Sequence, residues 1–137
     1  MNDLSSHSKP LTAPEAALVS ARELRVELSS LLARRELSPG LRLRAQRVYD
    51  TVRSREIFVE RAIDDFDFFV DSLEVDMARE VRTAFVADEH HVDGGATETH
   101  LTEFGECLRS INARVRELAL LCSAVEAKAT TARWGFE

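Results

Sequence analysis

The stretch IFVERAIDDFDFFVDSLEV, residues 57–75, holds four phenylalanines and six acidic side chains in nineteen positions. Wound as a helix at about 100° per residue, it lines up Val59, Ala62, Phe66, Phe69 and Leu73 as a seam, flanked by Phe58, Ile63 and Val70. Ile57, Phe68, Val75 and, beyond the stretch, Val86 fall on the opposite side as a second apolar stripe. One helix face cannot use both sets. How many neighbours this helix has therefore decides the fold.

Outward from it, no proline or glycine occurs between Leu41 and Glu89, so the spacing predicts a single long helix over about 39–90. Its seam begins with Ala45, Val48, Val52 and Arg55, and Arg55 is the flaw in it. If the helix kinks there, the same residues make four helices rather than three. Upstream, Thr12 and Glu15 stand at capping-box spacing with Pro14 in the first turn, opening a helix over about 13–37 with Ala17, Ala21, Leu24, Leu28 and Leu31 inward. Ser38 and Pro39 suit the cap and first position of the next helix.

Downstream, Gly94-Gly95 marks a loop, and a third helix is expected over about 98–134. Leu101, Phe104, Leu108, Ile111, Val115, Leu118, Cys122 and Val125 follow alternating steps of three and four, specific for a helix packed on helices. A hairpin about Gly94-Gly95 sets 57–70 opposite 119–132, and one about Pro39 sets 16–21 opposite 57–62. The expected architecture is all-α: an elongated antiparallel three-helix bundle or coiled-coil hairpin. Residues 1–11 read as a disordered N-terminal tail and 12–137 as one helical domain. With five glycines, three prolines and a single tyrosine, no strands are expected.

At 137 residues and 45% hydrophobic the chain can bury a core. No apolar run approaches a membrane span and the first fourteen residues lack the apolar region of a signal peptide, which points to the cytosol. Cys107 and Cys122 lie about 22 Å apart along one helix, too far for a disulfide within the chain, and are expected reduced. The net charge of −6 is unevenly spread, with nine arginines against five acids in 15–55 and three against twelve in 56–93. Such a chain repels polyanions overall, although Arg42, Arg44, Arg47, Arg53 and Arg55 leave a local nucleic-acid contact through 42–55 as a third functional reading.

Signatures of chemistry are few. Asp64, Asp65 and Asp67 are paired carboxylates without a nucleophile or base beside them, and no glycine-rich phosphate loop or Ser/His/Asp context occurs, so no enzymatic activity, catalytic residue or cofactor is expected. His90 and His91, with Asp88, Glu89, Asp93 and the more distant His100, are weak candidate metal ligands, and a compact bundle holding a metal or small ligand there is the second functional reading. Trp134 at the chain end is expected to stack near Arg55, with Gly135 as a helix cap and Phe136 as its apolar follower.

The first reading is a non-enzymatic scaffold, adaptor or assembly subunit working through helix packing with itself or a protein partner. The stripe of Ile57, Phe68, Val75 and Val86, flanked by Arg61, Asp64, Asp71, Arg79 and Arg82, is its expected interface. The acidic excess favours a basic partner, and residues 42–55 of a second copy could supply one.

Overall fold

The computed structural model describes the backbone of residues 10–86 and 96–134, and the side chains of residues 10–83 and 98–127. Four helices run in the order α1 (Ala13–Leu32), α2 (Pro39–Ser54), α3 (Glu60–Arg79) and α4 (Glu103–Trp134), with a hairpin of β1 (Val81–Val86) and β2 (Ala96–Leu101) between the last two.

The capping box forms as the sequence predicts: Thr12 Oγ1 accepts the Glu15 N–H at 3.3 Å and Glu15 Oε1 accepts the Thr12 N–H at 3.0 Å. The other end of α1 falls short of the expected Leu37. Arg42 reaches back from α2 and donates to the carbonyls of Leu32 at 2.6 Å and Arg34 at 2.9 Å, satisfying acceptors that a helix end leaves open. Ser38 then caps α2, accepting the Leu41 N–H at 3.3 Å, and its hydroxyl donates to Asp76 at 2.8 Å, which ties the start of α2 to the end of α3.

The single helix expected over 39–90 is two helices and a strand. It breaks at Arg55, whose φ of 67° makes it the one non-glycine residue with positive φ among those described. The Arg55 and Glu56 N–H groups both turn back to the Thr51 carbonyl, closing α2, and Ile57 drops into the core behind them. An apolar residue just past a left-handed cap is the usual partner of such an ending. The five-residue connection resets the helical phase. Ile57 therefore has 0% exposure where an unbroken helix would turn it outward, and Val59, expected on the seam, is the half-exposed N-cap of α3 without a side-chain cap bond.

Strands replace the last turns expected of the long helix and the first turns expected of the next. β1 reads VRTAFV and β2 ATETHL, rich in the β-branched and aromatic residues that favour extended backbone. They pair antiparallel from Val81 with Leu101 to Val86 with Ala96. Thr102 then opens α4: its Oγ1 accepts the Gly105 N–H at 3.0 Å and donates to Glu80 at 2.5 Å, while its N–H donates to the Glu80 carbonyl at 2.9 Å.

The helices pack in a ring, α1 on α2, α2 on α3, α3 on α4 and α4 on α1. Neighbours run antiparallel, as cross-links show: Glu23 and Glu27 with Arg114, Arg34 with Glu103, Arg47 with Asp65, Glu74 with Arg116. Helix α3 thus has α2 and α4 as its main neighbours, whereas the sequence reading placed the first helix against it. Each helix contributes one seam: Ala17, Leu24, Leu28 and Leu31; Leu41, Ala45 and Val48; Ala62, Phe66, Phe69 and Leu73; Phe104, Leu108, Ile111, Val115 and Leu118. Leu101, Phe58 and Val125, assigned to the seam from sequence, are only partly buried.

Candidate functional site

Three of the four residues of the expected interface have described side chains, and the fold separates them. Ile57 is core, correcting its assignment to a surface stripe, whereas Phe68 and Val75 each keep 55% of their area exposed. Val86 lies in β1 with its side chain outside the described residues. Phe68 and Val75 sit seven positions apart on the outward edge of α3, and Asp64 and Asp71 complete the row at steps of four and three. Asp67 stands beside them, and all three carboxylates are exposed with no ion-pair or hydrogen-bond partner among the described residues. The result is a stripe that alternates acid and hydrophobe on one helix.

Helix α2 borders this stripe. The Arg44 guanidinium sits 5.4 Å from the centre of the Phe68 ring, a cation–π contact. Ser38, Gly40, Leu41 and Arg44 face Asp71, Ser72, Val75, Asp76 and Arg79 across a shallow groove of about 420 Å³. A second groove of about 490 Å³ runs along the α3–α4 edge, where Ile63, Val70, Ala119 and Leu120 form an apolar floor between Asp67, Asp71, Glu74 and Arg116. Leu120, 73% exposed, stands outside the seam that the sequence predicts through Leu118 and Cys122. Its signal was present, two apolar neighbours in the run Leu118 to Leu121 that a single seam cannot bury.

The arginines of 42–55 are largely spoken for within the chain. Arg42 holds the end of α1, Arg44 covers Phe68, and Arg47 lies 3.7 Å from Asp65, leaving Arg53 and Arg55. These two meet Arg22 and Arg25 of α1 around a pocket that the sequence reading did not anticipate, because residues about thirty apart come together only through the α1–α2 packing.

His90 and His91, with Asp88, Glu89 and Asp93, lie outside the described residues. His100 sits exposed on β2, its Nε2 3.0 Å from Glu98 Oε2. Among the described residues no group of three or more His, Cys, Asp or Glu is arranged to hold a metal ion. Trp134 ends α4, its side chain and residues 135–137 outside the described set, as are the stacking and capping expected there. Burial pushes the Cys122 thiol up to about 11 and raises Cys107 as well, so neither is an activated nucleophile at neutral pH. Among the described residues no helix is long and apolar enough to cross a membrane.

Comparison of the chain with protein-family models, with curated proteins and with solved structures finds no match.

Proposed function

We propose that this protein is a non-enzymatic helical scaffold or adaptor, and that the exposed stripe of α3 docks a basic amphipathic helix of a protein partner. The observation that carries the reading is the row Asp64, Phe68, Asp71, Val75, with Asp67 beside it, on a helix whose other face is fully packed. Two half-exposed hydrophobes offer an anchor. Covering the remaining surface of Phe68 contributes about 1 kcal/mol, given about 1.5–3 kcal/mol for a whole large apolar side chain. The unpartnered carboxylates choose the sign of the partner's charge and its register.

Charge argues against a two-fold dimer through the same face. Stacking α3 on α3 of a second copy gathers Asp64, Asp67 and Asp71 of both chains along one seam, and a concentration of like charge there is repulsive. The basic stretch of a second copy is a poor substitute, because Arg42, Arg44 and Arg47 are already engaged within their own chain. The free thiols suit a reducing compartment, and the reading keeps the protein in the cytosol.

The test is fluorescence anisotropy with a labelled Leu/Lys amphipathic peptide and its Leu/Glu counterpart, with oligomeric state followed by light scattering after size exclusion. The expected result is a monomer that binds the basic peptide, and loss of at least about tenfold in affinity in Phe68→Asp/Val75→Asp with helicity unchanged, the equivalent of about 1.4 kcal/mol. Equal binding of both peptides, or binding that survives the double substitution, overturns the proposal.

A further inference from the structure

Arginine pairing in this chain has one conspicuous gap. Among the described residues, Arg34, Arg47, Arg61, Arg79, Arg109, Arg114 and Arg116 face carboxylates, Arg42 and Arg82 donate to carbonyls, and Arg44 covers a ring. Five remain without such a partner there: Arg22, Arg25, Arg35, Arg53 and Arg55. Four of those five line a single pocket of about 210 Å³, over a floor of Leu18, Ala21 and Val52, and no carboxylate lines it.

The fold assembles this cluster from two directions. Leu18, Ala21, Arg22 and Arg25 are spaced at three, four and seven positions, so they share the face of α1 that borders the C-terminal end of α2. Arg53 belongs to the last turn of α2, and Arg55 is its left-handed cap at φ 67°, a conformation disfavoured for any residue with a Cβ. The helix end at α2 carries roughly half a negative charge. Four full positive charges exceed that several-fold. A concave site lined by four arginines and no carboxylate is complementary to a multiply charged anion, and the planar fork of guanidinium matches phosphate oxygens two at a time.

We infer that Arg22, Arg25, Arg53 and Arg55 form a binding site for a small phosphorylated ligand, of the di- or triphosphate class. The pocket is smaller than the roughly 300–1,000 Å³ that encloses a whole drug-sized molecule, so it takes the phosphates and leaves the rest of the ligand outside. Nucleic acid is the less suitable anion. The overall charge of −6 repels a long polyanion, and Arg42, Arg44 and Arg47, which would extend a backbone track along α2, are engaged within the chain. This site is separate from the α3 stripe and does not depend on the scaffold reading.

Calorimetric titration of the full chain with inorganic pyrophosphate, in phosphate-free buffer at about 150 mM salt, tests it. One saturable site per chain is expected. Arg22→Gln/Arg25→Gln should weaken binding at least tenfold, while Arg35→Gln, removing the unpartnered arginine outside the pocket, should leave it within twofold. Should the double variant lose helicity, Arg53→Gln is held to the same tenfold criterion. Absence of saturable binding, or equal weakening by Arg35→Gln, overturns the assignment. So does a single-stranded oligonucleotide that binds more tightly than pyrophosphate at the same salt and loses that binding in Arg22→Gln/Arg25→Gln, since it would make the cluster a nucleic-acid contact.

Discussion

Arg34, in the α1–α2 connection, grips Glu103, sixty-nine positions later at the start of α4, with Nη2 2.6 Å from Oε2 and Nη1 3.1 Å from Oε1. The same guanidinium holds Glu36 at 3.1 Å and lies 5.2 Å from the centre of the Phe104 ring. One side chain thus fastens a connection to a helix distant in sequence.

This clamp makes stability depend on acid in a defined direction. The Arg34 guanidinium holds Glu103 and Glu36 below the usual 4.5, and the Thr12 cap bonds lower Glu15. A depressed folded-state pKa adds stability above 4.5 that is lost as pH falls through the lower folded value. Thermal melts from neutral pH to below 4.5 should show wild type losing Tm more steeply than Glu103→Gln. All three carboxylates are solvent-exposed, so the difference should shrink in high salt. Parallel pH profiles for the two proteins at low salt would contradict the clamp.

Two glycines should respond oppositely to alanine. A Cβ at Gly40, in the first turn of α2, meets nothing within 4 Å, so Gly40→Ala should stabilise by about 0.5–1 kcal/mol through helix propensity. A Cβ at Gly105 would stand 2.8 Å from Glu80 Cβ and 3.1 Å from Leu101 Cβ. Gly105→Ala should therefore lower stability by about 1–3 kcal/mol, the usual range for overpacking. Urea denaturation reads both, and the same sign for the two would refute the packing of α4 against the β-hairpin.

Phe66 and Phe68 are two residues apart with opposite fates. Phe66 is fully buried, and Phe66→Ala should destabilise by about 3–5 kcal/mol. Phe68, half exposed beneath Arg44, should cost less than about 1 kcal/mol on truncation to alanine, leaving m unchanged. A large loss at Phe68 would show that it belongs to the core and that α3 has no free apolar edge.

Arg55 occupies a left-handed position where a side chain is disfavoured by about 1–2 kcal/mol. Arg55→Gly should remove that strain, and after the extra chain entropy of glycine a net gain of about 0.5–1 kcal/mol is expected in chemical denaturation. A clear loss of stability would mean that the guanidinium itself supports the α2–α3 turn.

Much of the helical part was legible in residue order. The Thr12–Glu15 box, the Ser38-Pro39 start and the recurring apolar residues of 104–122 are local patterns, and each follows from the periodicity of a helix and the needs of its open ends. Arg55 was legible only as a flaw. No proline or glycine marks the break; it goes with the burial of Ile57 behind a turned-back cap, a gain realised only once the helices have assembled into a core. The strands were hidden for a similar reason. Val81 and Ala84 fit a helical seam as well as they fit VRTAFV, and pairing with ATETHL decides between the two.

The candidate sites divide along the same line. Phe68 and Val75 stood out in the sequence because a helix long enough to repeat has an outside, and that follows from spacing alone. Ile57 left the same stripe because a five-residue connection shifts phase, which only the fold decides. The cluster of Arg22, Arg25, Arg53 and Arg55 is tertiary throughout. Sequence supplied four positive charges in two places, and the antiparallel packing of α1 on α2 brought them to one pocket, where no carboxylate answers them.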